Sequence, residues 1–151
     1  MAHEFTHRRR VEFVETDLAG IMHFSNFFRF MEGTEHAFFR SLGISAHEDD
    51  GQGMRGLARV QATCDYKRPL RYQDEVEMHL VVREKTRTTL GYELTFHRLY
   101  ETGQRVETAA VGSMRVVCVR RAPGEERIHA APLPEEVNER IEAAPSQSPA
   151  S

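Results

Sequence analysis

The sequence predicts an α+β domain in which one helix packs against an antiparallel sheet. Two observations lead to this fold class. One helical segment, ending near Leu42, is apolar over most of its circumference, and four later segments alternate between apolar and polar residues. Strands joined by tight turns form antiparallel sheets, and a helix that is apolar on several sides must be covered by other elements. The 151 residues suffice for one domain with one core.

The elements follow one another in a simple order. A first strand is predicted at residues 7–14, and a Gly-containing loop at 16–20 leads into a helix that starts between residues 21 and 25. The helix is recognised by apolar residues at helical spacing, and Gly43 is typical of a residue that ends a helix. Those apolar residues are Phe27, Phe28, Phe30, Met31, Phe38, Phe39 and Leu42.

The second half of the chain is predicted to be mostly strand. Residues 44–56 are polar and Gly-rich, so we expect a loop there; the strands are expected at 57–66, 75–83, 89–100 and 105–119. A weak helical pattern at 135–143 precedes a Pro- and Ser-rich end. We therefore expect one domain over residues 1–137 and a disordered tail over 138–151.

Composition excludes several classes of function. A net charge of -3 and a pI of about 6.2 argue against a general nucleic-acid partner. No apolar run approaches the roughly 20 residues of a membrane span, and the N-terminus lacks a signal-peptide pattern, so a cytoplasmic protein is expected. Cys64 and Cys118 are expected to be reduced and buried, and neither a metal site nor a cofactor is expected.

One short segment is a candidate for chemistry. Asp17 stands just before the helix, Gly20 follows it, and the first helical amides near His23 and Phe24 have no partner within the helix. Such amides can stabilise an oxyanion, and a nearby carboxylate can attack a carbonyl or activate water. On spacing alone an N-cap or loop role for Asp17 is more common. His23 could orient water or substrate, or could simply pack.

Residues 11–27 resemble the signature of the 4-hydroxybenzoyl-CoA thioesterase family. The shared pattern is a Thr-Asp pair, then glycine, an aromatic residue and an Asn-aromatic pair, followed by a helix that ends in Leu-Gly. The likeness continues at residues 66–74, with tyrosine, proline and aspartate at the family spacing. It is weaker at residues 86–96, Gly103, Ala109, Ala110 and Pro132, and covers about residues 6–137 in all.

This resemblance implies a hotdog fold, in which a long central helix is wrapped by a curved five-stranded antiparallel sheet. It also implies a homodimer or homotetramer with active sites between subunits. Asp17 would be the nucleophile or general base, and the Phe24 amide would polarise the thioester carbonyl. Some relatives carry a histidine where this chain has Phe24, which leaves the role of His23 open. The positions expected to contact substrate or coenzyme A are Gly20, Asn26, Lys85, Arg87, Thr88 and Thr89.

The implied activity is hydrolysis of an acyl-CoA thioester to a free acid and CoA, without a cofactor. Two alternatives remain open: a thioesterase acting on acyl carrier protein, and a non-catalytic acyl-CoA-binding protein on the same fold. The acyl group is not determined by the sequence. Phe27, Phe28 and Phe30 are interpreted either as an acyl pocket or, more commonly for apolar helix residues, as core.

Overall fold

The computed structural model describes residues 1–49 and 51–146. It contains two α-helices, seven strands and a 3₁₀ turn at Phe13–Glu15. Within the described residues, neither helix has the length and apolarity that a bilayer crossing requires. In chain order the elements are β1 Glu4–Arg10, α1 Asn26–Ser41, β2 His47–Asp49, β3 Met54–Tyr66, β4 Glu75–Lys85, β5 Thr89–Leu99, β6 Arg105–Arg121, β7 His129–Ala130 and α2 Glu135–Arg140.

The strands form one antiparallel sheet in the order β1-β4-β5-β6-β3-β2. Five long strands make up most of the sheet. The two short ones extend it, because β2 pairs only with residues 54–56 of β3, and β7 pairs only with residues 119–120 of β6. Helix α1 packs on one face of this sheet. The α+β class and the hotdog fold are therefore confirmed.

The core lies between α1 and the sheet, as the sequence patterns predict. The alternating residues of β4 place Val76, Met78, Leu80 and Val82 on the inner face, where all four are buried. Helix α1 buries Phe27, Phe30, Met31, Phe38 and Phe39 against that face. Gly112 on β6 allows the close approach, since a side chain there would overlap the Met31 sulfur.

The structure corrects the predicted first strand. Strand β1 begins at Glu4 and ends at Arg10, and Phe13 and Val14 are exposed in the 3₁₀ turn. The cause is Glu15, whose carboxylate accepts the Glu12 amide at 2.8 Å and pairs with Arg9. These contacts turn the chain out of the sheet before the apolar pair is reached. The predicted loop at 44–56 also contains β2 and the first three residues of β3.

The domain boundary expected at residue 137 falls inside α2. Ile141 is fully buried and bridges Ala2, and the Ala144 amide donates to the Val82 carbonyl at 2.7 Å. Lys85 holds the same segment through the carbonyls of Asn138 and Ile141. Burial of Ile141 and these hydrogen bonds therefore extend the packed chain beyond the predicted boundary. Residues 147–151 of the predicted tail lie outside the described residues.

Helix α1 also buries a carboxylate. Glu35 is 1% exposed; one of its oxygens pairs with Arg59 on β3 at 2.7 Å, and the phenol of Tyr92 lies nearby in the core. Burial raises the pKa of Glu35 above its ordinary 4.5, although Arg59 and Tyr92 oppose the shift. Burial and the Glu35 charge raise the pKa of the Tyr92 phenol as well.

We expect this buried carboxyl to make stability depend on pH. The folded protein holds the Glu35 proton more tightly than the unfolded chain does, so the free energy of unfolding falls as pH rises from about 4.5 towards the raised pKa. Glu35→Gln should remove this part of the slope in urea titrations between pH 5 and pH 8. Glu32→Gln, at an exposed carboxylate near the same Arg59, is the control and should keep it. Equal slopes in wild type and Glu35→Gln would contradict the assignment.

Candidate active site

Asp17 lies at the tip of a short hairpin that leads into α1. Thr16 pairs with Met22, the Asp17 amide donates to the Ile21 carbonyl at 3.0 Å, and the Gly20 amide donates to the Asp17 carbonyl at 2.9 Å. Gly20 closes the turn with a φ of 77°, a conformation that favours glycine. A side chain at Gly20 would meet no atom within 4 Å, so the space above the turn is open.

The Asp17 carboxylate is exposed and only half engaged. Its Oδ1 accepts the Ala19 amide at 2.8 Å, which fixes the side chain over the turn. Within residues 1–49 and 51–146, Oδ2 has no hydrogen-bond partner. A carboxylate with one oxygen held and the other open can act as a nucleophile or as a base towards water.

Buried Glu15 fastens this hairpin to the helix. Its carbonyl accepts two hydrogen bonds, from the His23 amide at 2.9 Å and from the Asn26 side chain at 2.8 Å. Its carboxylate binds Arg9, whose guanidinium lies 4.1 Å from the centre of the Phe30 ring. The side-chain amide of Asn26, the first residue of α1, thus ties the loop to the helix. Asn26 is also one of the positions expected to contact the substrate.

The amide of Phe24 is free at the start of the helix. The next amides are used, because Asn26 donates to the His23 carbonyl at 2.9 Å and Phe27 donates to the Phe24 carbonyl at 3.3 Å. No acceptor for the Phe24 N–H occurs among residues 1–49 and 51–146. In a trans peptide the N–H points opposite to the preceding C=O, so this N–H points away from the helix.

His23 is engaged by its immediate neighbours. Its Nδ1 lies 2.8 Å from the Ser25 hydroxyl and 3.3 Å from the Ser25 amide, and its ring packs on Phe24 with centres 4.4 Å apart. These contacts orient the ring at the helix start, as the packing interpretation expects. A role of His23 towards water or substrate stays a prediction.

Tyr66 also belongs to this site, although no role was expected for it from the sequence. Its hydroxyl donates to the Phe24 carbonyl at 3.1 Å, and its ring stands edge-on to Phe27 with centres 5.0 Å apart. Forty-two residues separate the two bonded groups in sequence. The sequence signals were the position of Tyr66 at the end of a predicted strand and its place as the tyrosine of the family pattern at residues 66–74. By contrast, Phe27 and Phe30 are buried in the core, as the commoner interpretation expects.

The predicted coenzyme A residues lie at the opposite end of the sheet. Thr89 pairs with Val117 of β6, whereas Tyr66 pairs with Ala110. These partners are seven residues apart, or roughly 23 Å at the rise of an extended strand. Within one chain, therefore, residues 85–89 do not meet Asp17. The Lys85 ammonium is bound to carbonyls near the end of α2, while Arg87 is exposed.

Strand β3 has an open edge between Leu57 and Tyr66. One side of this stretch pairs with β6, and on its other side no strand pairs with it in the described part of the chain. The residues at 60–63 are all exposed, and Val60 forms a bulge between Arg59 and Gln61. An open edge of this length is a surface that another strand can extend.

Comparisons with known proteins agree with the fold. A family model described as the thioesterase-like superfamily matches residues 11–141. A protein of Aquifex aeolicus (strain VF5), named as a candidate esterase, is 41% identical over 88 residues, which are 58% of this chain and 68% of that protein.

Two solved structures extend the comparison. A gentisyl-coenzyme A thioesterase is 26% identical with a TM-score of 0.71, and the match covers 89% of this chain and 99% of the other. The 4-hydroxybenzoyl-CoA thioesterase of Pseudomonas sp. strain CBS-3 has a TM-score of 0.76 at 20% identity, covering 91% and 99%. The second likeness concerns the fold alone.

Proposed function

Because the chain belongs to the thioesterase-like superfamily and is a thioester hydrolase, we propose that it cleaves acyl-CoA thioesters to a free acid and CoA. The proposal rests on two groups at the start of α1. The exposed Asp17 carboxylate has only one of its two oxygens hydrogen-bonded, and the Phe24 N–H has no acceptor within the described residues. The two structural neighbours act, by their names, on gentisyl-CoA and 4-hydroxybenzoyl-CoA, which supports a CoA-bound substrate.

In the proposed mechanism, the Phe24 N–H donates to the thioester carbonyl oxygen. As negative charge develops there, the positive end of the α1 dipole adds to the stabilisation. Asp17 either attacks the carbonyl carbon, forming an anhydride that water then hydrolyses, or removes a proton from an attacking water. In both routes the C–S bond breaks and the CoA sulfur leaves with the electron pair. No metal or redox cofactor is needed.

We further propose that two copies pair through the open edge of β3. A two-fold axis pairs a strand with a copy of itself in antiparallel fashion. The Tyr66 end of β3 in one copy would then lie beside the Leu57 end of β3 in the other copy. Phe24 lies at the Tyr66 end, where it is hydrogen-bonded to Tyr66. Leu57 pairs with Cys118, whose amide donates to the Thr88 carbonyl, so the turn at Thr88 is level with that end.

This pairing would place the predicted coenzyme A residues of one copy near the active site of the other. Exposed Arg87 and the half-buried residues Thr88 and Thr89 would reach the substrate bound at Asp17 of the other copy. The Thr89 hydroxyl is hydrogen-bonded to the Thr86 hydroxyl. The guanidinium of Arg87 can bind a phosphate with two parallel hydrogen bonds. The Lys85 ammonium is already used at α2, so Arg87 is the better candidate for the phosphate contact.

The proposal is tested by measuring thiol release from a panel of acyl-CoA esters, starting with hydroxybenzoyl esters. The same acyl groups attached to a carrier protein form the second arm. We expect turnover with CoA esters and at least about tenfold lower efficiency with the carrier-bound forms. Preference for the carrier would identify the protein-borne substrate instead. Tight acyl-CoA binding without thiol release would contradict hydrolysis and favour a binding protein.

A further inference from the structure

We propose that Tyr66 is a positioning residue that holds the Phe24 peptide in the orientation needed to bind the oxyanion. This inference rests on the proposed function, in which the Phe24 amide is the donor. Its structural basis is the hydrogen bond from the Tyr66 hydroxyl to the Phe24 carbonyl. Tyr66 does not need to touch the substrate to act in this way.

The hydrogen bond is well placed to control the free amide. The direction of the Phe24 N–H depends on the two peptide planes that flank its Cα. The preceding plane is held by the bond from Asn26 to the His23 carbonyl at 2.9 Å. On the following plane, the helical bond from Phe27 is long at 3.3 Å, and the Tyr66 bond at 3.1 Å supplements it. Without Tyr66, the Phe24 carbonyl would keep only that long contact, and the Ser25 amide of the same plane would keep its 3.3 Å contact with His23 Nδ1.

Tyr66 is itself held at two points, one on its ring and one on the backbone that follows it. Phe27 stands edge-on to it and is in turn packed on Phe96 in the core, with ring centres 5.2 Å apart. Directly after Tyr66, the amides of Lys67 and Arg68 both donate to the Ala109 carbonyl, at 2.8 and 3.0 Å. The end of β3 therefore has a fixed position relative to the sheet. These contacts hold the Tyr66 hydroxyl at the start of α1.

The hydroxyl stays a donor throughout the working pH range. Partial burial raises the pKa of the Tyr66 hydroxyl, and the neighbouring Cys64 raises it further. Burial also raises the pKa of the Cys64 thiol to about 11, so the thiol stays protonated and does not compete as a thiolate for the tyrosine proton. The Cys64 thiol also interacts with the hydroxyl, and the hydroxyl keeps the proton that it donates to the Phe24 carbonyl.

Loss of this bond should affect turnover more than binding. The developing oxyanion needs an accurately directed N–H, whereas ground-state binding of the CoA moiety does not depend on it. Removal of a whole oxyanion donor costs about 100- to 1000-fold in kcat. A loosened donor should cost less, and we expect roughly a tenfold fall in kcat for Tyr66→Phe, with KM within about twofold of wild type.

The experiment compares Tyr66→Phe with Tyr72→Phe in the full chain. The two tyrosines are similarly exposed, at 47% and 52%, and the Tyr72 ring stands edge-on to Phe13. We expect Tyr72→Phe to match wild type in kcat and KM. Thermal melting and gel filtration should show that both variants keep the fold and assembly of wild type. Replacing Tyr66 by 4-aminophenylalanine, which restores a donor at the same place, should recover most of the kcat.

Defined results would overturn the inference. A kcat for Tyr66→Phe within twofold of wild type would do so, as would an equal loss in Tyr72→Phe. A Tyr66→Phe protein that changes its assembly state, or a 4-aminophenylalanine variant that stays as slow as Tyr66→Phe, would also contradict it. Asp17→Asn separates this inference from the proposed function. If Asp17→Asn is inactive and Tyr66→Phe is unaffected, only the role of Tyr66 is wrong; if Asp17→Asn is fully active, the proposed site itself is wrong.

Discussion

Replacing Asp17 by asparagine should reduce kcat by at least about 1000-fold while the protein stays folded. The amide is neutral at neutral pH, so it neither attacks a thioester carbonyl nor removes a proton from water; positioned general bases contribute about 100- to 10,000-fold. Asparagine keeps an oxygen where Oδ1 accepts the Ala19 amide, so the turn should persist. Thiol release under saturating acyl-CoA measures the change in kcat.

The fold and binding must be followed in the same variant. We expect the melting temperature and the affinity for acyl-CoA to stay close to those of wild type, because the exposed Asp17 contributes little to packing. Glu101→Gln, which removes an exposed carboxylate in the turn between β5 and β6, is the matched control for charge and should be fully active. Turnover by Asp17→Asn within threefold of wild type would show that another group performs the chemistry.

Replacing Val60 by lysine should prevent pairing of the β3 edges. Val60 is 59% exposed at the bulge of the open strand, and a lysine on an edge strand opposes strand addition. Near a two-fold axis the two introduced ammonium groups would also face each other, which costs on the order of several kcal/mol. We expect a single-chain species in analytical ultracentrifugation. Its kcat/KM should be at least about tenfold lower, because Arg87 and Thr88 of the second copy would be lost from the site.

Tyr100→Lys provides the control for this second variant. Tyr100 is 54% exposed and lies just after β5, away from β3. It should therefore keep both the assembly state and the activity of wild type. A Val60→Lys protein that assembles like wild type would refute pairing through β3. A single-chain protein with wild-type kcat/KM would instead show that each chain contains a complete site.

Local patterns were sufficient for the parts of the fold that depend on one segment. The apolar residues of α1 repeat at helical spacing, and Gly43 ends the helix with a φ of 69°. The alternation along β4 put its inner residues in the core without any knowledge of its neighbours. Asp17 was singled out because it stands between a strand and the start of a helix. The resemblance to a known family then identified the fold.

Other features depend on contacts between distant segments. The first strand ends at Arg10 because a buried Glu15 meets Arg9 and the Glu12 amide, which no alternation pattern reveals. The packed chain continues past residue 137 because Ile141 is buried and forms a β-bridge with Ala2. Lys85 was expected from the sequence to contact substrate or coenzyme A, yet its ammonium is bound to the carbonyls of Asn138 and Ile141.

The sequence by itself determined the α+β class and most of its elements, with Asp17 and Phe24 beside the helix start, and its resemblance to a known family indicated the hotdog fold and thioester hydrolysis. Only the tertiary structure decided which groups surround them. The register of β3 on β6 brings Tyr66 to the Phe24 carbonyl, and the register of β5 on β6 puts residues 85–89 at the far end of the sheet. Periodicity fixes which face a side chain takes, whereas register fixes its neighbours, and register is set by pairing between strands far apart in the chain.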